Sequence, residues 1–172
     1  KCRAIFVEPQ PGPFSRLSVR MGANRNVTLI NAAIDESSGH RAFYSIPSAV
    51  EGLPSWTEQL ASFNKQHLLN HEEKAPGLSK HIVESNVATL SFVDLLNKNG
   101  LKVLDLLQID AEGMDAQLLE WFPFEKIKPA LLHYEIAHMS SDEHRSVKQR
   151  LQSFGYTVLA SDSPTDDMAI IF

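Results

Sequence analysis

Between Leu104 and Phe122 the chain reads LDLLQIDAEGMDAQLLEWF, an apolar run that ends in Asp110 and Glu112, one residue apart, followed by a glycine and a helical pattern. A charge leaving a buried strand must reach water, a donor or a ligand to offset its desolvation. Two acids this close suit general acid–base work, and like-charge repulsion raises the pKa of one of them where both are partly buried. The plainer reading makes Asp110 a helix cap, with Gly113 freeing the backbone for the turn. Other apolar runs also stop at acids: Glu8 follows RAIFV, and Glu135 comes near the end of ALLHYEI. An acid at the end of such a strand can accept hydrogen bonds from the vicinal hydroxyls of a ribose. It can equally occupy a solvated turn and support the next helix N-terminus through its charge. Taken together, Glu8, Asp110 and Glu135 describe one acid-lined crevice, which favours hydroxyl-rich or cationic ligands over phosphates.

The remaining polar constellations are weaker. His138 falls in the loop beyond Glu135 and could accept a proton in the crevice, or be a plain loop histidine. His133 shares a strand face with Glu135. His67 and His71 are four apart, a spacing that can present two imidazoles to a metal, but there is no H-E-x-x-H and the surroundings are polar, so a solvated helix face is expected and no metal. Asp166 and Asp167 read as the polar lead into an edge strand. Trp56, Leu60 and Phe63 fit helix packing, with the wall of an acceptor pocket as the alternative. Ser55 has no base at a recognisable spacing, so nucleophilic catalysis has no support.

The elements that must hold these groups follow from periodicity and turn residues. A strand at Arg3–Val7 stops at Glu8-Pro9, since the residue before a proline is pushed toward extended backbone. A helix runs from near Pro13 to near Gly22, and a second strand covers Asn26–Asp35. ESSG is a turn and RAFYSI a short strand. Residues 47–87 are polar and irregular, with one amphipathic helix carrying Trp56, Leu60 and Phe63 and an exposed turn at NHEEKAPG, which reads as an insertion or lid. SFVDLLNKNG is a helix opened by a Ser91/Asp94 capping box. VLDLLQID is a strand, followed by a helix with Met114, Leu118, Leu119 and Phe122 on one face. PALLHYEI is another strand, and a Ser140/Glu143 capping box opens the next helix. YTVLA and DDMAIIF, joined by SDSPTD, form an antiparallel edge pair. Strands alternating with helices predict an α/β fold, a mostly parallel sheet covered on both faces, in a single domain over residues 1–172.

Composition narrows the function classes. The net charge is −5 over 172 residues with scattered basic groups, so neither nucleic acid nor an anionic membrane surface is an expected partner. No apolar run reaches the roughly 18 residues of a membrane span. The one cysteine, Cys2, cannot form an internal disulfide, which points to a reducing compartment, the cytoplasm. Oligomeric state is not legible.

In this order and at these intervals, VEPQPGPFSRL, VTLINAAI, TLSFVDLL and LLQIDAEGMDAQLL resemble the FkbM family of S-adenosylmethionine-dependent methyltransferases over nearly the whole chain. The resemblance implies a Rossmann-like class I methyltransferase fold with an antiparallel last strand, S-adenosylmethionine as cofactor, and methyl transfer to oxygen on a small-molecule or glycan-like acceptor. It implies that Glu8 and Pro9 hold the cofactor ribose, that Ala32, Ala33 and Ile34 border the adenine, and that Asp110 and Glu112 face the transferring methyl, with Glu135 and His138 as further catalytic candidates. The family's glycine-rich first strand and turn, D-x-G-A-N-x-G, would precede RAIFVEP, where Lys1 and Cys2 stand. MGANRN imitates that turn in letters but follows a helix and lacks the later glycine. The expectation is a domain incomplete at its N-terminus that binds cofactor weakly or not at all as it stands, the longer parent being the active enzyme. Two other classes compete: a non-catalytic Rossmann-like binding module, and a nucleotide-dependent oxidoreductase, for which Glu8 would serve as well but which IDAEG and the antiparallel ending disfavour.

Overall fold

The structure, a computed structural model, describes residues 2–160 and 163–172; Ser161 and Asp162 of the SDSPTD link lie outside the described residues. It divides into two compact units, residues 1–91 and residues 92–172, each described by itself.

The first unit runs β1 (Ala4–Val7), α1 (Pro11–Met21), β2 (Val27–Ile30), β3 (Ala33–Ile34), β4 (Gly39–Ser45), a 3-10 turn (Ser55–Gln59), β5 (Ala61–Ser62), α2 (Lys65–Leu69), a second 3-10 turn (Leu78–His81) and β6 (Val83–Leu90). β1 and β2 pair in parallel, from Ala4 opposite Val27 to Val7 opposite Ile30. Pro11 opens α1 at a position whose N–H would have no helical partner anyway. The strand expected over Asn26–Asp35 is broken in two. Asn31 Nδ2 donates to the carbonyls of Glu8 (2.8 Å) and Pro9 (3.2 Å), which holds the chain at the end of β1. Ala33 and Ile34 then join a different sheet, pairing in parallel with Thr89 and Leu90 of β6.

Residues 47–87 carry more structure than their polarity predicts. The helix expected through Trp56, Leu60 and Phe63 does not form: a 3-10 turn ends at Gln59, and Leu60 is extended. Those three residues do not share one packing face. Leu60 is buried with Ile46, Leu68, Ala75 and Leu78, whereas Phe63 packs against Ala33, Phe43, Ala61 and Val87. The NHEEKAPG turn contributes Ala75, fully buried, to the first of these clusters. β6 starts inside the segment and pairs antiparallel with β4 along its length, from Gly39 opposite Thr89 to Ser45 opposite Val83.

The second unit runs α3 (Phe92–Lys98), β7 (Leu106–Ile109), α4 (Asp115–Trp121), β8 (Leu131–Glu135), α5 (Ser141–Ser153), β9 (Thr157–Ala160) and β10 (Asp166–Ile170). The Ser140/Glu143 capping box that opens α5 forms as expected, the Ser140 hydroxyl accepting from Glu143 N–H and the Glu143 carboxylate from Ser140 N–H. β7 and β8 are parallel, and β10 runs antiparallel to both β8 and β9. The sheet order is β7-β8-β10-β9, so the expected antiparallel pair β9-β10 does lie at the edge of the sheet, with β9 outermost and β10 between β8 and β9. Leu118 and Leu119 of α4, Leu132 and Tyr134 of β8, and Val147 and Leu151 of α5 are buried in its core. Each fully buried large apolar side chain of this kind contributes roughly 2 kcal/mol.

In place of one mostly parallel sheet, the described residues form three small sheets, two of them mixed: β1-β2, β3-β6-β4-β5 and β7-β8-β10-β9. The α/β character stands. The long connection between β4 and β6 lets β6 return alongside β4 in the opposite direction, which introduces the antiparallel pairing. Among the described residues no helix is long and apolar enough to cross a membrane.

Candidate active site

The second unit gathers acids at the carboxyl ends of its two parallel strands. β7 stops at Ile109 and Asp110 follows, exposed to solvent. The chain then turns through Glu112 (φ 48°) and Gly113 (φ 89°), both in the left-handed region, before α4 starts at Asp115. Glycine adopts such a backbone freely, whereas for Glu112 it costs on the order of 1 kcal/mol and must be held by its surroundings. One support is visible: Asp115 Oδ2 accepts the Ala111 N–H at 3.3 Å, closing the turn.

Along β8 the residues alternate. Leu132 and Tyr134 are buried, and His133 and Glu135 point to the other, half-buried face, as period-two patterning requires. A tight turn follows, with Met139 N–H donating to Ile136 O. It returns His138 toward the acids: its Nε2 lies 3.7 Å from Glu112 Oε2 and 3.9 Å from Glu135 Oε2. The Glu112 and His138 side chains keep 28% and 29% of their surface exposed, enough for a solute to reach them.

Burial dominates the electrostatics. It pushes Glu112 up to about 7, helped by the charges of Asp110 and Asp115. Glu135 also rises to about 7, first through burial and then through Asp115, Asp110, Glu112 and Asp166. Asp115 is raised to about 6 by burial, although the Ala111 and Glu135 backbone amides pull the other way. Acids tuned close to neutrality can take and return protons at physiological pH, the condition under which general acid–base catalysis is most effective.

The first unit carries the other candidates. Glu8 closes β1, half-buried, with its Oε1 accepting the Gln10 N–H at 2.7 Å. Burial raises its pKa more than that bond and the nearby Arg16 lower it. The Asn31 amide, bonded to the Glu8 and Pro9 carbonyls, ties the end of β2 to the end of β1. Ala32 and Ala33 are buried, at 3% and 5% exposure, and Ile34 is half-buried. Glu8, Pro9, Ala32, Ala33 and Ile34 thus belong to the first unit, and Asp110, Glu112, Glu135 and His138 to the second.

The profile of the methyltransferase FkbM domain matches residues 1–158. The chain belongs to the FkbM methyltransferase family. No curated protein and no solved structure matches it significantly. Membership makes it a methyltransferase domain and implies S-adenosylmethionine as the methyl donor.

Several groups of this FkbM domain escape a reading of its sequence. Asp115 is the main one: it stands five residues past Asp110, where an acid in a first helical turn is unremarkable, yet it is 2% exposed. Asp167 belongs to β10 and is buried, with His144 Nε2 donating to its Oδ2 at 2.6 Å, so the pair Asp166–Asp167 is not a solvated lead-in. His67 and His71 are half-buried instead of lying on a solvated helix face. His71 Nδ1 donates to His67 O at 3.0 Å, and the two rings meet edge-on. Trp56, Leu60 and Phe63 do not line the recess of about 270 Å³ in this segment, which is bounded by Pro47, Ala49, Val50, Leu53, Pro54 and Glu58, among others.

Proposed function

We infer that this FkbM domain transfers a methyl group from S-adenosylmethionine to a hydroxyl of a small-molecule or glycan-like acceptor, with Glu112, Glu135 and His138 handling the hydroxyl proton. The observation that carries this is the placement of one imidazole within 4 Å of two acids that titrate close to neutrality.

When bound, S-adenosylmethionine supplies an electrophilic methyl group on a positively charged sulfur. Glu8 fits its ribose: a half-buried carboxylate at the end of a parallel strand is placed to accept from vicinal hydroxyls, and the Asn31 clamp fixes the backbone on either side of Pro9. Pro9 keeps that strand end extended, and Ala32, Ala33 and Ile34 border the adenine. Asp110, exposed and acidic, complements a cationic donor. Glu112 or Glu135, deprotonated, accepts the acceptor's hydroxyl proton as the oxygen becomes nucleophilic, and His138 passes that proton toward water. Holding oxygen and methyl in line supplies much of the rate, with no covalent intermediate on the protein. A Rossmann-like class I methyltransferase sheet is supported by the second unit, where β7, β8 and β9 run the same way and β10 runs against them.

The test is titration calorimetry of the natural protein with S-adenosylhomocysteine and with NAD. S-adenosylhomocysteine should bind, and Glu8→Gln should weaken it roughly tenfold, the value of about 1.4 kcal/mol from charged hydrogen bonds to the diol. Heat from NAD alone would favour an oxidoreductase, and heat from neither would leave a binding module.

A further inference from the structure

We propose that Asp115 is the positioning residue of the Glu112–Glu135 pair, its carboxylate bracing the turn that carries Glu112 while placing a further buried acid beside both. This rests on the reading of Glu112 and Glu135 as the proton-handling groups.

Asp115 occupies the first position of α4, and its Oδ2 reaches back to the Ala111 N–H across Glu112 and Gly113, the two residues of the turn with left-handed backbone. The carboxylate serves more than the turn: the backbone amides of Ala111 and Glu135 both bond to it, so it ties the segment that carries Glu112 to the end of β8 that carries Glu135. Asp115 is 2% exposed, and its second oxygen, Oδ1, is buried without a hydrogen bond. Its surroundings set it among other ionisable groups. Facing the cluster are Asp110 from the end of β7, Glu112 from the turn, Glu135 from β8, Asp166 from β10 and His138 from the loop after β8; Asp115 raises the pKa of both Glu112 and Glu135. Burial is the first cause that raises both acids, and a buried negative charge beside them disfavours their ionisation further, so ionised Asp115 adds to the effect on each.

Carboxyl-carbon NMR of protein labelled in Asp and Glu reads this without donor or acceptor. In Asp115→Asn, which keeps an oxygen for Ala111, the midpoints of Glu112 and Glu135 should both fall by about one pH unit. Unmoved midpoints in the folded variant would overturn the proposal. Wild-type protein gives a second reading that needs no variant: the Ala111 amide proton should shift as Asp115 titrates near pH 6, and an indifferent amide would overturn the brace. Full methyl transfer by Glu112→Gln would sink the proton-handling reading alone, leaving the coupling of Asp115 to both acids intact.

Discussion

Glu112 Oε2 and His138 Nε2 stand 3.7 Å apart, although α4 and β8 separate the two residues in the chain. An acid on a strained turn and an imidazole on a separate loop meet only if both turns hold their shape. Replacing Glu112 by glutamine keeps the shape and removes the titrating group. Labelled-methyl transfer to a hydroxylated acceptor should then fall roughly 10²–10⁴-fold, the range for loss of a general base, while calorimetry with S-adenosylhomocysteine shows unchanged affinity. Equal losses in both measurements would mean that Glu112 serves binding instead.

The raised acids also make stability depend on pH, with a definite sign. Glu8, Glu112, Asp115 and Glu135 hold protons more tightly in the folded state than their ordinary values of 4.5 or 3.8. Between about pH 5 and 8 the folded chain therefore carries more protons than the unfolded one, so stability is full below that window and declines as pH rises through it. Acids with lowered values, Glu72, Glu143 and Asp166, act only below it. The melting temperature should drop from pH 5 to pH 8, and Glu112→Gln should recover on the order of 2 kcal/mol at pH 8, allowing for its partial exposure. A melting temperature that rises across the same window would contradict this assignment.

His144→Ala should destabilise the second unit by about 1–3 kcal/mol, because it strands the Asp167 carboxylate, 4% exposed, without the Nε2 donor that now meets it at 2.6 Å. Tyr134, whose hydroxyl is buried without a hydrogen bond, is already raised by burial and by that same carboxylate. Urea denaturation should move the midpoint and leave the slope alone; an unchanged midpoint would show that the pair contributes nothing.

Arg150 bonds the Leu119 and Glu120 carbonyls near the end of α4, at 3.4 and 2.9 Å, and its guanidinium lies over the Phe154 ring at 5.2 Å. Arg150→Ala should cost roughly 1–2 kcal/mol through the lost bonds and stacking. Arg150→Lys should recover little, since an ammonium cannot reproduce the planar fork. Full recovery by lysine would reduce the interaction to simple charge.

Most of the second unit was legible because its signals are local. The Ser140/Glu143 box, the apolar face of α4 and the alternation in β8 each lie within a few residues, and Glu112, Glu135 and His138 stand where turns end strands. What escaped depends on distant partners. β6 was hidden because its first four residues, Val83–Asn86, are exposed and only Val87 and Thr89 are buried, so no alternation shows. The break at Asn31 is set by carbonyls more than twenty positions upstream, and the spacing of Trp56, Leu60 and Phe63 mimicked a helix although Leu60 and Phe63 serve different clusters. Asp115 looked ordinary because burial, unlike residue type, is a property of the packed unit.

The threading of β10 between β8 and β9 has a consequence for biosynthesis. Strands β8 and β9 leave the ribosome first, but neither can pair with the other, because the place between them belongs to a segment not yet made. Until β10 emerges, β8 presents one open flank and β9 has no neighbour in the sheet. A nascent chain paused in this interval is where mispairing with another polypeptide competes best, and β10 seals both flanks in one step.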